Sequence, residues 1–229
     1  MAHFPNTFAE TVTPLTEDIG QRGNQALARL QEKGFIVAKG LTRYFAGAVG
    51  VMGQQDHIRE YCPKDATPAR FATESSTEKW LQKGGGRAMF LLLNQVQHKG
   101  EPAGLKLEGY GWTGYEPCDE LPDHPITSAY RLGAGAKGKR LSGDFVQTVV
   151  SATNALYTDG EGIGLETWKS NSAASLYPKI GFTLLHEAEE PELRPTLDLT
   201  AFDVVITSEG PKIEDTRQYM GYPAELLAA

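Results

Sequence analysis

Apolar residues recur along the first third of the chain with the spacing of helices, interrupted by one short strand. Helical periodicity predicts a first helix over Leu15–Lys33, which is followed by a glycine that makes a good C-terminal stop. A strand is predicted directly after it, at Phe35–Ala38. Residues 44–83 again have a helical pattern, but prolines break it, and Ser75 and Ser76 are candidate helix caps.

The middle of the chain has the pattern of an antiparallel hairpin. A long apolar strand is predicted over Arg87–Gln97 and a returning strand over Ala103–Trp112, with His98–Pro102 as the turn between them. A proline-rich excursion follows the hairpin, and Ile126–Leu132 then predicts one more strand.

Strands and helices alternate in the second half. A glycine-rich turn opens a helix whose apolar positions, Phe145, Val149, Ala152 and Leu156, are spaced four, three and four residues apart on one face. The elements predicted beyond it are the strand Ile163–Trp168, the helix Asn171–Ile180, the strand Phe182–Leu185, the strand Phe202–Thr207 and a partly helical tail. This order predicts an α/β fold with a mixed, mostly antiparallel central sheet and flanking helices. We predict that residues 1–34 form an N-terminal extension with one helix and residues 35–229 a single domain.

The charge of the chain argues against several classes of partner. Its 229 residues carry a formal net charge of −7 without a long run of Lys or Arg, so it lacks the clustered basic side chains that bind nucleic acid. An acidic surface suits a cationic or amine-bearing substrate better. No stretch approaches the roughly 18 apolar residues of a membrane helix, and the N-terminus has no signal-peptide pattern, so we expect a cytoplasmic protein that does not bind membranes.

The cysteines and histidines do not have the spacing of a metal site. Cys62 and Cys118 lie far apart without a C-x-x-C pair, and the five histidines form no H-x-x-x-H or H-x-x-E-H group. We therefore expect neither a functional metal nor a disulfide framework.

The segment Ala129–Asp144 has the pattern of a phosphate-binding turn. A strand leads into glycines, which let a ligand approach the backbone, and then into a helix start, where free N–H groups and the positive end of the helix dipole favour phosphate. Lys137, Lys139 and Arg140 add positive charge. The alternative is a surface turn that happens to be basic.

Three phosphate-binding patterns nearly fit this turn. Gly133–Gly138 matches the dinucleotide fingerprint G-x-G-x-x-G, with Asp159 about twenty residues further on. The same glycines match a P-loop until Arg140 occupies the place of its Ser or Thr. Lys137–Ser142 is similar to the acetyltransferase pattern [RQ]-x-x-G-x-[GA], with Lys, Arg and Ser at its fixed positions. The turn alone does not choose among them.

A second motif, Asn171–Phe182, favours the third pattern. It reads as an Asn cap, one short helix distorted at its end by Pro178, a glycine stop and a strand. The series N-x-x-A-x-x-L-Y-x-x-x-G-F resembles the second coenzyme A motif of the Gcn5-related N-acetyltransferase family. The resemblance extends over about residues 85–186 and implies the acyl-CoA N-acyltransferase fold, in which two central parallel strands splay apart around the cofactor arm.

The resemblance implies transfer of an acetyl group from acetyl-CoA to a primary amine by direct attack. Tyr177 takes the position of the acid that protonates the departing thiolate, and Asn171 and Ala174 lie along the cofactor arm. The positions that correspond to the pyrophosphate site are Gly135, Ala136, Lys137, Gly138, Lys139, Arg140, Leu141 and Ser142.

The acceptor side is less determined by the sequence. An amine must first lose a proton, and Glu108 is our candidate base, with His124 and Asp123 as alternatives. Aromatic residues that are candidates for an acceptor pocket are Tyr110, Trp112, Tyr115 and Tyr130. The identity of the amine stays open, as does a homodimer. Two other classes also stay open: a non-catalytic domain that binds coenzyme A as a sensor or interaction module, and a nicotinamide-dependent oxidoreductase that uses Gly133–Gly138.

Overall fold

The structure is a computed structural model that describes residues 7–96, 104–157, 162–189, 192–195 and 212–223. An eight-stranded sheet forms its centre, with helices on both faces. The strands of this sheet are β1 (Thr13–Pro14), β2 (Phe35–Lys39), β3 (Arg87–Val96), β4 (Gly104–Tyr115), β5 (Ile126–Leu132), β6 (Ile163–Trp168), β7 (Thr183–Glu187) and, after the separate antiparallel pair β8 (Glu192–Pro195) and β9 (Lys212–Asp215), β10 (Arg217–Tyr222). The helices are α1 (Gln21–Glu32), α2 (Arg43–Gly53), α3 (Asp56–Arg59), α4 (Glu74–Gln82), α5 (Ser142–Leu156) and α6 (Tyr177–Ile180).

The sheet is mixed and mostly antiparallel, as the sequence predicts. Its strand order is β1-β2-β3-β4-β5-β6-β10-β7. The pairing of β5 with β6 is parallel, and the other pairs are antiparallel among the described strands. Helix α5 connects the two parallel strands, because such strands need a long crossover.

Two hydrophobic cores lie on the two faces of the sheet. On the first face α1 packs against α5, whose predicted apolar stripe is confirmed: Phe145 and Val149 are fully buried there. On the second face α2 and α4 cover Tyr110 and Trp112, which pack edge-on against Phe71 and Trp80. We refer to these as the α5 face and the α2 face.

The first helix begins later than predicted. Leu15 is buried, but its N–H donates to the carbonyl oxygen of Val37 at 2.9 Å, so the chain there runs beside β2 as the short strand β1. Apolar residues before Gln21 therefore fill the core from an extended segment, which periodicity alone does not distinguish from a helical one. Helix α1 itself packs into the main core of the α5 face.

The cap of α4 is Thr73 and neither of the two predicted serines. Its hydroxyl accepts from the N–H of Ser76, and the Ser76 hydroxyl accepts from the N–H of Thr73, which forms a reciprocal capping box. Ser76 thus takes part in the cap from inside the helix.

The C-terminal part of the chain contains a strand where the sequence suggested partial helix. Strand β10 lies between β6 and β7 and pairs with both. Met220 and Tyr222 are buried on the α5 face and Tyr219 is buried as well, so β10 shows little of the polar alternation that marks a strand in sequence. The predicted turn His98–Pro102 and strand Phe202–Thr207 lie outside the described residues.

Candidate active site

The parallel pairing of β5 with β6 ends after two residue pairs. Ile126 lies opposite Ile163 and Thr127 opposite Gly164, and no further pair joins the two strands. Beyond this point β5 keeps β4 as its neighbour and β6 keeps β10. The resulting gap is a cleft of about 620 Å³ that both strands line.

The edge of β5 that faces this cleft presents backbone groups at every second residue. The N–H of Gly133 donates to Glu108 on β4, so the backbone of Leu132, Tyr130 and Ser128 points to the other side, toward β6. Two of those carbonyl oxygens are occupied: Tyr130 accepts from the Arg131 guanidinium and Leu132 lies 2.9 Å from His57 Nε2. Beyond the pairing with β6, the N–H groups of Tyr130 and Leu132 have no hydrogen-bond partner among the described residues, and a ligand can use them.

One mouth of the cleft opens on the α5 face. Ser142, Phe145 and Val146 at the start of α5 line it, opposite Asn171 and Tyr177. Asn171 caps a 3₁₀ turn, since its side-chain oxygen accepts from the N–H of Ala173 at 3.0 Å, which confirms the predicted cap. The 3₁₀ turn Ser172–Ser175 gives way to α6 at Leu176, so the predicted single helix is two short pieces.

Tyr177 is a buried residue that lines this mouth. Its ring packs against Phe182 at 5.7 Å and Tyr130 at 6.4 Å between centroids. Burial raises the pKa of its hydroxyl to about 12, and the nearby Arg131 charge offsets only part of that rise. The hydroxyl is therefore protonated at neutral pH.

The glycine-rich turn ends in a helix start without a side-chain cap. Helix α5 begins at Ser142, and Leu141 before it makes no capping hydrogen bond, so the first N–H groups of the helix are not used by a cap. Gly138 and Arg140 have left-handed backbone conformations, with φ of 79° and 52°. Arg140 thus adopts the conformation in which glycine is favoured, and its exposed side chain is not part of the cleft lining.

Two glycines of this turn serve packing within the protein. A Cβ atom on Gly135 would lie 2.2 Å from a Glu108 carboxylate oxygen, and one on Gly133 would lie 2.8 Å from the end of Met52. Ala136 is buried in the core. These positions of the dinucleotide fingerprint are therefore filled by neighbouring side chains, and the mostly antiparallel sheet differs from the parallel sheet that a dinucleotide fold requires. Asp159 lies outside the described residues.

The sequence-predicted site residues divide into those that line the cleft and those that do not. Ser142, Asn171 and Tyr177 line it. The candidates outside the lining are Glu108, Gly135, Ala136, Lys137, Gly138, Lys139, Arg140, Leu141 and Ala174. Ala173 lines the cleft in place of Ala174.

Glu108, the candidate base, is buried away from the cleft. Its carboxylate pairs with Lys106 at 2.8 Å and lies under the backbone of Gly135. His124 lies over the glycines of β6 and β10, and Asp123 is exposed. The role of Glu108 as a base stays a prediction. A carboxylate that does line the cleft is Glu116. Burial would raise its pKa, but the hydrogen bond and the charge of Arg87 hold the pKa below its ordinary value.

The second mouth opens on the α2 face and contains a charged network that the sequence did not reveal. Asp65 is fully buried and accepts from Arg70 at 2.5 Å, from Arg131 at 2.9 Å and from the Tyr110 hydroxyl at 2.8 Å. Burial alone would raise the pKa of Asp65, but Arg131 and Arg70 together hold it below its ordinary value. Arg70 and Arg131 line the cleft, as do Trp112 and Cys62.

The aromatic residues predicted for an acceptor pocket are divided among different environments. Trp112 and Tyr130 line the cleft, Tyr110 is buried in the network below it, and Tyr115 is partly exposed at the end of β4. Asp65 and Arg131 are 66 positions apart in the chain, with β3 and β4 between them, so no local spacing could have indicated their pairing.

No family model matches the chain, and no curated protein is similar enough to match it. Solved structures do match. A Gcn5-related N-acetyltransferase from Kribbella flavida has a TM-score of 0.55 at 13% identity, covering 84% of this chain and 99% of that one. The ribosomal-protein-S5-alanine acetyltransferase of Vibrio fischeri has a TM-score of 0.55 at 14% identity, covering 84% and 94%.

The fold is that of the Gcn5-related N-acetyltransferases. A third similar structure is yncA from Salmonella typhimurium, described as an acetyltransferase and solved with its cofactor acetyl-CoA, with a TM-score of 0.55 at 11% identity over 83% of this chain and 94% of that one. Within the described ranges of this acetyltransferase fold, no group of His, Cys, Asp and Glu side chains could hold a metal ion. Nor is any helix in those ranges long and apolar enough to cross a membrane.

The buried Asp65 network generates a prediction for stability. Replacing Asp65 with Asn leaves two guanidinium groups without their shared carboxylate, and breaking a buried ion pair typically costs roughly 3–5 kcal/mol. Because the pKa of Asp65 is lowered in the folded protein, its contribution is full above the ordinary Asp pKa and is lost as pH falls through the folded value.

Denaturant unfolding of the parent and Asp65→Asn between pH 7 and pH 3 measures this difference. We expect the largest gap in unfolding free energy at pH 7 and a narrowing gap at acidic pH. The exposed Asp119→Asn serves as the matched control. A gap that stays constant over this range would contradict the prediction.

Proposed function

We propose that this protein is an N-acetyltransferase that transfers the acetyl group of acetyl-CoA to a primary amine. The observation that carries the proposal is the cleft between β5 and β6, which has an uncapped helix start at one end and a buried, protonated tyrosine at its wall. Structures with the same fold are named as acetyltransferases, which supports the chemistry in general.

The fit of coenzyme A rests on two sets of backbone donors. The first N–H groups of α5 and the positive end of its dipole suit a pyrophosphate, with Lys137, Lys139 and Arg140 exposed nearby. The N–H groups of β5 that face the gap suit the amide carbonyls of a pantetheine arm, which would lie where a strand partner is missing. Asn171 keeps its side-chain NH₂ for the same arm, because only its oxygen is used by the cap.

In the proposed reaction the amine nitrogen forms a bond to the acetyl carbonyl carbon, and the bond between that carbon and sulfur breaks. The leaving thiolate receives a proton from the Tyr177 hydroxyl, which its raised pKa keeps protonated at neutral pH. The nitrogen releases one proton to water as the amide forms, and water returns a proton to Tyr177. The amine approaches from the α2 face, since the α5 face holds the helix start that binds the cofactor.

A non-catalytic coenzyme A sensor is the second candidate. It shares the cofactor half of the site and differs only in lacking acetyl transfer. The open second mouth, lined by Arg70, Arg131 and Trp112, favours an enzyme, because a sensor has no need for a second binding region that meets the first.

Calorimetric titration tests the cofactor. We expect acetyl-CoA to bind and NAD not to compete with it. We also expect Ser142→Asp to weaken acetyl-CoA binding roughly 10-fold or more, because a carboxylate at the helix start repels the pyrophosphate. Ala155→Asp, which adds the same charge to an exposed position of α5 far from its start, should keep the parental affinity. A clear preference for NAD would contradict the proposal. An unchanged affinity for acetyl-CoA in folded Ser142→Asp would show that the phosphate site lies elsewhere.

Replacing Tyr177 with Phe tests the acid. The ring and its packing remain while the hydroxyl is lost, so the variant should bind acetyl-CoA as the parent does and lose turnover by about 10²-fold, the low end for general acid catalysis, since a thiolate leaves even without a proton. Thiol release in a single-turnover assay measures this, with the buried Tyr157→Phe outside the cleft as control. A parental rate of the chemical step would show that Tyr177 is only a packing residue.

A further inference from the structure

The second mouth of the cleft, which opens on the α2 face, carries a positive charge although the chain as a whole is acidic. Four cations line the cleft: Lys64, Arg70, Arg131 and Arg217. Lys64 is exposed and makes no ion pair with the described residues. The fully buried Asp65 is shared by the two arginines, so one carboxylate balances two guanidinium groups.

The other carboxylates that line the cleft are already paired with cations of their own. Glu116 accepts from Arg87 at 2.8 Å and lies 3.6 Å from Lys83. Glu166 pairs with Arg217, which also binds Glu192. Arg70 also acts on Glu116, and Arg217 serves two carboxylates. The six cations of these groups still outnumber their four carboxylates, so the excess charge remains positive.

Both arginines keep unused hydrogen-bond donors. A guanidinium has five N–H donors in a planar fork. Arg131 uses one for Asp65 and one for the Tyr130 carbonyl, and Arg70 uses one for Asp65. The side chains are held rigidly, because Asp65 fixes both and the Arg70 guanidinium also lies 5.3 Å from the centre of the Trp112 ring. Two fixed forks that point donors at one cleft form a preorganised site for an oxyanion.

We propose that the acceptor is a small amine that carries an oxyanionic group, of which the carboxylate of an amino acid is the simplest example, and that Arg70 and Arg131 bind this group. The inference rests on the proposed acetyl transfer and names its substrate class. It departs from the cationic substrate that the overall charge suggested, because the local charge of the cleft and not the net charge of the surface acts on a bound ligand. Arg131 and Tyr177 both line this cleft, so the oxyanion site and the proposed acid belong to one cavity.

A series of acceptors that differ only in their end group tests this. Ethanolamine, ethylenediamine, β-alanine, taurine and 2-aminoethylphosphonate share a two-carbon amine and present a neutral, cationic, carboxylate, sulfonate or phosphonate group. The common amino acids and their amides extend the test to larger side chains. With saturating acetyl-CoA and thiol release as the readout, we expect kcat/KM to be at least about 10-fold higher for carboxylate-bearing amines than for their neutral partners. The values of kcat/KM for taurine and 2-aminoethylphosphonate, compared with that for β-alanine, show which oxyanion is preferred.

Variants at Arg70 connect the preference to the site. Losing one charge-assisted contact corresponds to about a 10- to 100-fold loss of kcat/KM for the anionic acceptors. We expect this loss in Arg70→Gln, with a change of no more than about 3-fold for neutral amines, and partial recovery in Arg70→Lys. Lys79→Gln removes an exposed cation from α4, outside the cleft lining, and should leave both classes of acceptor unaffected.

The outcomes separate this inference from the proposed function. Neutral or cationic amines that react as fast as anionic ones would overturn the inference and leave acetyl transfer intact. An equal loss for all acceptors in Arg70→Gln would also overturn it, since Arg70 would then act on the reaction or on folding. Binding of acetyl-CoA without transfer to any amine in either panel would overturn the proposed function and the inference with it.

Discussion

The separation of β5 from β6 is the constraint on which the rest of the site depends. A strand inside a sheet normally has both of its edges hydrogen-bonded, and buried backbone groups without partners are costly. Here β5 has a bonded edge toward β4 and, beyond Thr127, an edge that faces a cleft. The protein partly compensates by using side chains as partners, the Arg131 guanidinium for one carbonyl and His57 for another. What remains is a pair of N–H donors, those of Tyr130 and Leu132, that a ligand can use.

The same strand divides the cleft into two halves with different chemistry. Successive side chains of β5 point to opposite faces of the sheet. Tyr130 therefore packs with Tyr177 on the α5 face, while Arg131 reaches Asp65 on the α2 face. One half offers backbone donors and a neutral hydroxyl, and the other offers fixed guanidinium groups. A ligand in one half of the cleft therefore meets a ligand in the other half at β5. Only the thickness of one strand backbone separates the two halves.

The elements of this fold were largely predictable, because their signals are local. Helix α5 has its apolar stripe, β5 and β6 have short apolar runs, and Asn171 has the side chain that caps a turn. Strand β10 was missed because both of its faces are buried and its partners lie far away in sequence. The predicted start of helix α1 is too early, because Leu15 is buried as a helical residue would be although its backbone is extended.

The site was predictable only where a motif is contiguous. The motif from Asn171 to Tyr177 is one short, continuous segment, and both of these residues line the cleft. The Asp65 network joins a 3₁₀ turn to β4 and β5. Asp65 contacts Tyr110, which is 45 positions away, and Arg131, which is 66 positions away, and spacing rules do not describe such distant contacts. Gly135 shows what the sequence leaves out: the Glu108 carboxylate occupies the space where a side chain on Gly135 would lie, which is a packing reason for glycine at this position.

The insertion of β10 between β6 and β7 has a consequence for how the protein folds. One wall of the cleft, β6, receives its second hydrogen-bonded neighbour from a strand that follows it by roughly fifty residues, after β7 has already been made. Closing a loop of that length costs entropy before the new pairing returns any free energy, and non-local pairing slows folding. During synthesis β7 emerges before β10, its partner among the described strands. The cleft wall is completed by one of the last pairings along the chain. The same strand brings Met220 and Tyr222 into the core of the α5 face, so this core and the cleft wall are completed together.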